Sequence, residues 1–77
     1  MKIEVLGAGC AKCQQLETLA RTVVQEKGLE AEVEHVGDLK RIAGYGVMAT
    51  PALVLDGKVK CAGRMPSKKE VEGWLAG

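Results

Sequence analysis

A chain of 77 residues has room for one domain, residues 1–77, which at this size buries roughly 60% of the surface its unfolded form exposes. Hydrophobic residues make up 47% of it, with no Phe, one Trp and one Tyr, so small aliphatic side chains must fill the core. The formal net charge of +1 gives no global argument for binding nucleic acid or a membrane surface, and no apolar run reaches the length of a membrane span.

Lys2-Ile3-Glu4-Val5-Leu6, apolar and partly β-branched, reads as a strand. Gly7-Ala8-Gly9-Cys10-Ala11-Lys12-Cys13 follows, and then Leu16, Leu19, Ala20, Val23 and Val24 fall at the spacing of one helix face. The two cysteines of a Cys-x-x-Cys therefore sit where a strand hands over to a helix, in the helix's first turn. N–H groups there lack intrahelical partners and the helix dipole is positive, so a thiolate is stabilised. Lys12 adds a positive charge between them. Cysteines three apart in one turn are neighbours, within reach of a disulfide after small adjustments. Cys10 at the tip is the natural nucleophile, and Cys13, three before Leu16 and beside the apolar stripe, the resolving partner.

The helix should begin near Cys10 and end at Lys27-Gly28. Ala31-Glu32-Val33-Glu34-His35-Val36 alternates like a half-exposed strand, and its glutamates suit a sheet edge. His35, the one histidine, reads as a surface residue. Asp38 can cap a short helix with Leu39, Ile42 and Ala43 on its buried side, ended by Gly44. Pro51 belongs at the mouth of a strand, Ala52-Leu53-Val54-Leu55, because it cannot donate to a sheet ladder. Asp56-Gly57 is a two-residue hairpin turn, returning through Lys58-Val59-Lys60-Cys61-Ala62 to Gly63 at a bulge or strand end. Cys61 shares strand parity with Val59 and should be a small buried residue. Ser67-Lys68-Lys69-Glu70 is a capping box opening a last helix with Val71, Trp74 and Leu75 on one face. Lys58, Lys60, Arg64, Lys68 and Lys69 read as solvated charge rather than a docking patch.

The order is β-α-β-α-β-β-α, an α/β fold with strands one and two parallel and a hairpin completing the sheet. Residues 1 to 6 are too short for a secretory signal, and Glu4 interrupts them. Three cysteines are too few and too odd a count for a disulfide-stapled secreted domain, so a reducing cytoplasm is expected. Gly7-Ala8-Gly9 lacks the third glycine of a nucleotide fingerprint, Lys12 standing in its place.

The Cys-x-x-Cys after the first strand, together with Tyr45-Gly46-Val47 and Thr50-Pro51-x-Leu53-Val54-Leu55-x-Gly57, resembles the thioredoxin/glutaredoxin superfamily. The compact size and the Gly-x-Gly-Cys-x-x-Cys form look closest to the small glutaredoxin-like thioredoxins known as redox-active disulfide proteins. That resemblance implies a four-stranded mixed sheet flanked by three helices. It also implies a cis Pro51 packed against the Cys10–Cys13 pair, and Thr50 offering its backbone to a substrate strand. Glu4, six residues before Cys10, matches the position of a buried acid that assists proton transfer to the resolving cysteine. Lys12 and Gly63 would support substrate binding. In place of the Trp and Gly-Pro of thioredoxins stand Gly9 and Ala11-Lys12. Gly63-Arg64-Met65 replaces the acidic glutathione contact of glutaredoxins, so dithiol chemistry is favoured over glutathione use.

The function expected is reduction of protein disulfides by a thiol–disulfide oxidoreductase, with no cofactor beyond the reversible Cys10–Cys13 disulfide and no metal. A separate reductase of the thioredoxin-reductase type would supply electrons to a monomer that contacts neither nucleic acid nor membrane. The alternative is a soft-metal chaperone. Heavy-metal-associated domains also carry Gly-x-x-Cys-x-x-Cys after strand one, and paired thiolates suit Cu(I) or zinc. They run β-α-β-β-α-β, however, and have no place for the Thr-Pro.

Overall fold

The computed structural model describes residues 1–7 and 11–76. The elements are β1 (Lys2–Leu6), α1 (Ala11–Lys27), β2 (Glu32–Val36), α2 (Leu39–Gly44), β3 (Ala52–Leu55), β4 (Lys58–Ala62) and α3 (Lys68–Ala76). The expected order holds, and the chain's last described element is a helix. Strands pair in the order β2-β1-β3-β4. β1 runs parallel to β2 and antiparallel to β3, and β3 runs antiparallel to β4.

β1 lies inside the sheet, and its residues Ile3–Leu6 are all buried. Its period of two sorts them between two layers. Ile3 and Val5 join Leu53 and Leu55 of β3, with Leu16, Ala20 and Val23 of α1 and Val71 and Leu75 of α3. On the opposite face Leu6 joins Val36, Ile42, Ala52 and Val54. α1 and α3 thus cover one face of the sheet and α2 the other. β2, at an edge, carries its glutamates where charge discourages pairing with another chain.

The helix ends follow the local chemistry that the sequence carries. Gly28 takes a φ of +62°, and the Gly28 and Leu29 amides donate to the Gln25 and Val24 carbonyls, closing α1 as a Schellman motif. The Asp38 carboxylate accepts from the Lys40 amide at 2.9 Å, opening α2. The Glu70 amide donates to Ser67 Oγ at 3.2 Å while Glu70 Oε1 accepts from the Ser67 amide at 3.1 Å, the reciprocal bonds of a capping box. The Asp56-Gly57 turn has positive φ at both residues, 48° and 83°, matching the right-handed twist of the hairpin.

Two expectations need correction. Leu39 is 71% exposed and Ala43 is also exposed, leaving Ile42 as the buried residue of α2. A helix of six residues completes too few turns to bury a stripe. Val59 and Cys61 do not share a face either. Leu53 pairs with Cys61 but Val54 with Val59, so Lys60 is an inserted residue that shifts the register. Cys61 is buried with the α1 layer, and Val59, opposite Val54, stays 39% exposed. Among the described residues, no helix is long and apolar enough to cross a membrane.

Two measurements check this arrangement. Leu53→Ala should lower the unfolding free energy by about 2–5 kcal/mol, and Leu39→Ala should change it by no more than about 0.5 kcal/mol, both read from urea denaturation. The Arg64 guanidinium, with help from the Ser67 amide, holds the Glu70 carboxyl down from its ordinary 4.5 to about 2. A depressed carboxyl stabilises the fold above its unfolded value, and that stability is lost as the pH falls through the folded one. The stability difference between the wild type and Glu70→Gln should therefore be full above pH 4.5 and shrink as the pH approaches 2.

Candidate active site

The site is assembled at the end of β1. Gly7, the residue after that strand, is buried, and its amide donates to the Val36 carbonyl at 2.9 Å. Cys13 is fully buried in the first turn of α1, its sulfur 3.9 Å from the Leu6 carbonyl oxygen. A β-carbon on Gly7 would overlap Cys13 Sγ, lie 2.9 Å from Cys13 Cβ and stand 3.7 Å from Thr50 Cβ. The absence of a side chain at Gly7 is what lets the cysteine sulfur and the Thr50 loop close on the same backbone.

Thr50 is exposed and Pro51 buried, and the peptide bond between them is cis. Pro51 opens onto β3, as its missing N–H requires. Its carbonyl accepts from the Gly63 amide at 2.9 Å. Gly63 takes a φ of +79°, and a β-carbon there would come within 3.1 Å of the Ala49 methyl. Gly63 thus fastens the end of β4 to the proline loop by a backbone contact. Cys13 and Thr50 therefore meet at Gly7, and Gly63 is joined to the same loop through Pro51, whereas Cys10 lies outside the described residues. Lys12 is exposed at the head of α1, and that helix's first turn contains no acidic residue, so the positive end of its dipole is not offset there.

Glu4 is only 4% exposed, but its partners are on the α2 side. One carboxylate oxygen accepts from Tyr45 Oη at 2.6 Å and the other from Arg41 at 2.9 Å. Arg41 also donates to Glu34 at 2.8 Å. The hydrogen bond to Glu4, backed by burial, pushes the Tyr45 hydroxyl above its ordinary value. Among the described residues no buried side-chain nitrogen or oxygen lacks a hydrogen-bond partner. With both oxygens engaged, Glu4 is an anchor for α2, and its carboxylate is turned to the layer opposite α1.

Cys61 is a free, buried thiol, and burial raises it above the ordinary cysteine value, making it a poor nucleophile. The basic segment is compensated in part: Arg64 pairs with Glu70 at 2.7 Å and Lys68 with Glu26 at 2.8 Å. Two residues were not legible as part of the site. In the sequence Gly7 stands out only as part of a Gly-x-Gly-Cys-x-x-Cys form and of an incomplete nucleotide motif, although a glycine just before a cysteine loop is itself a signal of close backbone approach. His35 is exposed, as a surface residue should be, and its Nε2 also lies 2.6 Å from the Gly7 carbonyl oxygen.

Gly7→Ala should force Cys13 and the α1 tip outward, at a cost of about 1–3 kcal/mol. Denaturation of the reduced variant measures this, and wild-type stability would contradict the contact.

Comparison with known proteins agrees with this geometry. A family model described as "Thioredoxin domain" matches residues 1–76. The chain is 44% identical over 76 residues to a thioredoxin of Methanothermobacter thermautotrophicus, covering 99% of both chains. It is 34% identical over 79 aligned positions to a thioredoxin of Methanocaldococcus jannaschii, covering 97% of this chain and 91% of that one. These matches support thiol–disulfide oxidoreductase activity in general and do not favour a metal chaperone. A four-stranded mixed sheet between α2 and the α1–α3 layer, with a buried cysteine in the first turn of α1 facing Thr50-Pro51, belongs to a small member of the thioredoxin family.

Proposed function

We propose that the protein reduces disulfides in protein substrates through a Cys10–Cys13 redox pair, with Cys10 the attacking sulfur and Cys13 the resolving one. The observation that carries this reading is the burial of Cys13 in the first turn of α1, sealed against Gly7 beside Thr50. A sulfur so shielded is a poor target for a bulky substrate but lies within a turn of its partner three residues earlier.

In this scheme Cys10 thiolate attacks one sulfur of the substrate disulfide. A mixed disulfide forms and the substrate's other sulfur leaves as a thiolate. Cys13 then loses its proton to that thiolate and attacks Cys10 Sγ. The Cys10–substrate bond breaks, the second substrate thiolate departs and takes a proton from water, and a Cys10–Cys13 disulfide remains. Two electrons have passed to the substrate. The unpaired amides of the first helical turn and Lys12 favour the starting thiolate. Thr50, exposed at the mouth of β3, offers backbone to the substrate segment, and Pro51 and Gly63 hold that loop in place. Glu4 serves as the anchor of α2 rather than as the proton acceptor, since Tyr45 and Arg41 occupy its oxygens.

The scheme uses no bound flavin, nicotinamide or metal, so a separate reductase of the thioredoxin-reductase type must return the dithiol. Its setting is a reducing compartment such as the cytoplasm, which keeps Cys61 as a thiol.

Cys13→Ser should accumulate mixed disulfides with protein substrates, because attack proceeds and resolution does not. Cys10→Ser should trap none. Mass spectrometry of the trapped species distinguishes the two variants, and trapping by Cys10→Ser alone would reverse the assignment of roles.

A further inference from the structure

His35 sits on the edge strand β2, where an imidazole pointing into solvent would need no explanation. His35 is exposed as a residue, yet its ring also makes contacts within the protein. Its side chain is 33% exposed, and Nε2 approaches the Gly7 carbonyl oxygen at 2.6 Å across 28 residues of sequence. The register explains why that oxygen needs a partner. β1 and β2 pair from Lys2 opposite Glu32 to Leu6 opposite Val36, and the Gly7 amide adds one more bond to the Val36 carbonyl. The Gly7 carbonyl is the first group of a buried residue beyond the ladder, where an unpartnered oxygen is costly. Among the described residues the imidazole supplies a donor to it, which requires the hydrogen on Nε2.

The other ring nitrogen faces α1. Nδ1 lies 3.9 Å from Glu17 Oε1, and Glu17 is one turn after Cys13 on the same helix. Glu17 Oε2 is held in turn by Arg21, whose guanidinium also donates to the Val33 carbonyl of β2. One side chain therefore reaches the backbone just before the cysteine loop and the helix turn just after it.

We propose that His35 is a positioning residue of the dithiol site: its Nε2–H holds the Gly7 carbonyl and so fixes the backbone wall against which the Cys13 sulfur is packed. The inference rests on the reading that Cys13 takes part in thiol–disulfide exchange. Loss of the donor frees Gly7 to shift, and Cys13 loses its fixed approach and its shielding together.

Two variants separate this from a merely structural role. His35→Leu removes the donor, and His35→Gln places an amide N–H where Nε2–H stood. Equilibration with dithiothreitol redox buffers reads the dithiol–disulfide equilibrium constant, and timed iodoacetamide labelling of the reduced protein reads the exposure of Cys13. His35→Leu should shift both by roughly two- to tenfold, the weight of one hydrogen bond, while far-UV circular dichroism stays unchanged. His35→Gln should restore both. Wild-type values for both readouts in His35→Leu would overturn the proposal, as would a His35→Gln variant that behaves like His35→Leu. If the wild type showed no exchange at all, the function proposed above would fail, and Cys13 labelling would still decide the part played by His35. Long-range 15N–1H spectra of the wild type give an answer that needs no variant. The ring hydrogen should reside on Nε2, and a neutral ring carrying it on Nδ1 would overturn the proposal.

Discussion

The contact between the Cys13 sulfur and the backbone of Gly7 is the constraint from which the site follows. No side chain fits between them, so β1, the head of α1 and the Thr50 loop meet at one point instead of being held apart by a methyl group. Packing in protein interiors is dense enough that displacement of one methyl is felt by all neighbours. The proposed mechanism depends on that closeness, because a resolving thiol must be shielded from substrates and still reach its partner. Everything else in the fold can be seen as holding the three pieces in register. The Gly7 amide is tied to β2, the Pro51 carbonyl to Gly63, and α1 is pressed to the sheet by Leu16, Ala20 and Val23.

The two faces of the sheet are built by different means. The α1–α3 face is an aliphatic layer with Trp74 packed partly at its margin. The α2 face has few apolar residues to bury, and α2 itself contributes Ile42 alone. There a buried carboxylate does part of the fastening, joined to α2 by Arg41 and Tyr45. A buried ion pair is weak evidence for net stability, since desolvation offsets much of the attraction. Its consequence is specificity of placement: α2 has one orientation that satisfies Glu4, and the loop leading to Thr50-Pro51 begins at Tyr45. Glu4 thus helps to set where the loop leading to Thr50-Pro51 starts.

Most of the fold was legible because each element carries its own local signal. Ser67 and Glu70, Asp38, Gly28 and Asp56-Gly57 are capping and turn residues whose effect depends on near neighbours in sequence. Cys13 was legible as the shielded cysteine because a three-residue offset from Leu16 fixes its helix face. What was not legible depends on tertiary geometry. Parity along β4 predicted a shared face for Val59 and Cys61, but the inserted Lys60 breaks the period, and no turn residue announces it. Leu39 looks apolar and correctly spaced, yet a helix too short to present a stripe leaves it 71% exposed. His35 and Gly7 are 28 residues apart, and only the parallel pairing of β1 with β2 brings them together.

The central claim is that two particular sulfurs form the redox pair and the third does not. Non-reducing peptide mapping of the oxidised native protein tests it directly. Digestion should yield a fragment in which Cys10 and Cys13 are linked and have lost two hydrogens. Cys61 should appear as a thiol that reacts with iodoacetamide only after unfolding, in keeping with its burial. A disulfide that includes Cys61, or a native oxidised protein in which Cys10 and Cys13 are both recovered as alkylated thiols, would contradict the account.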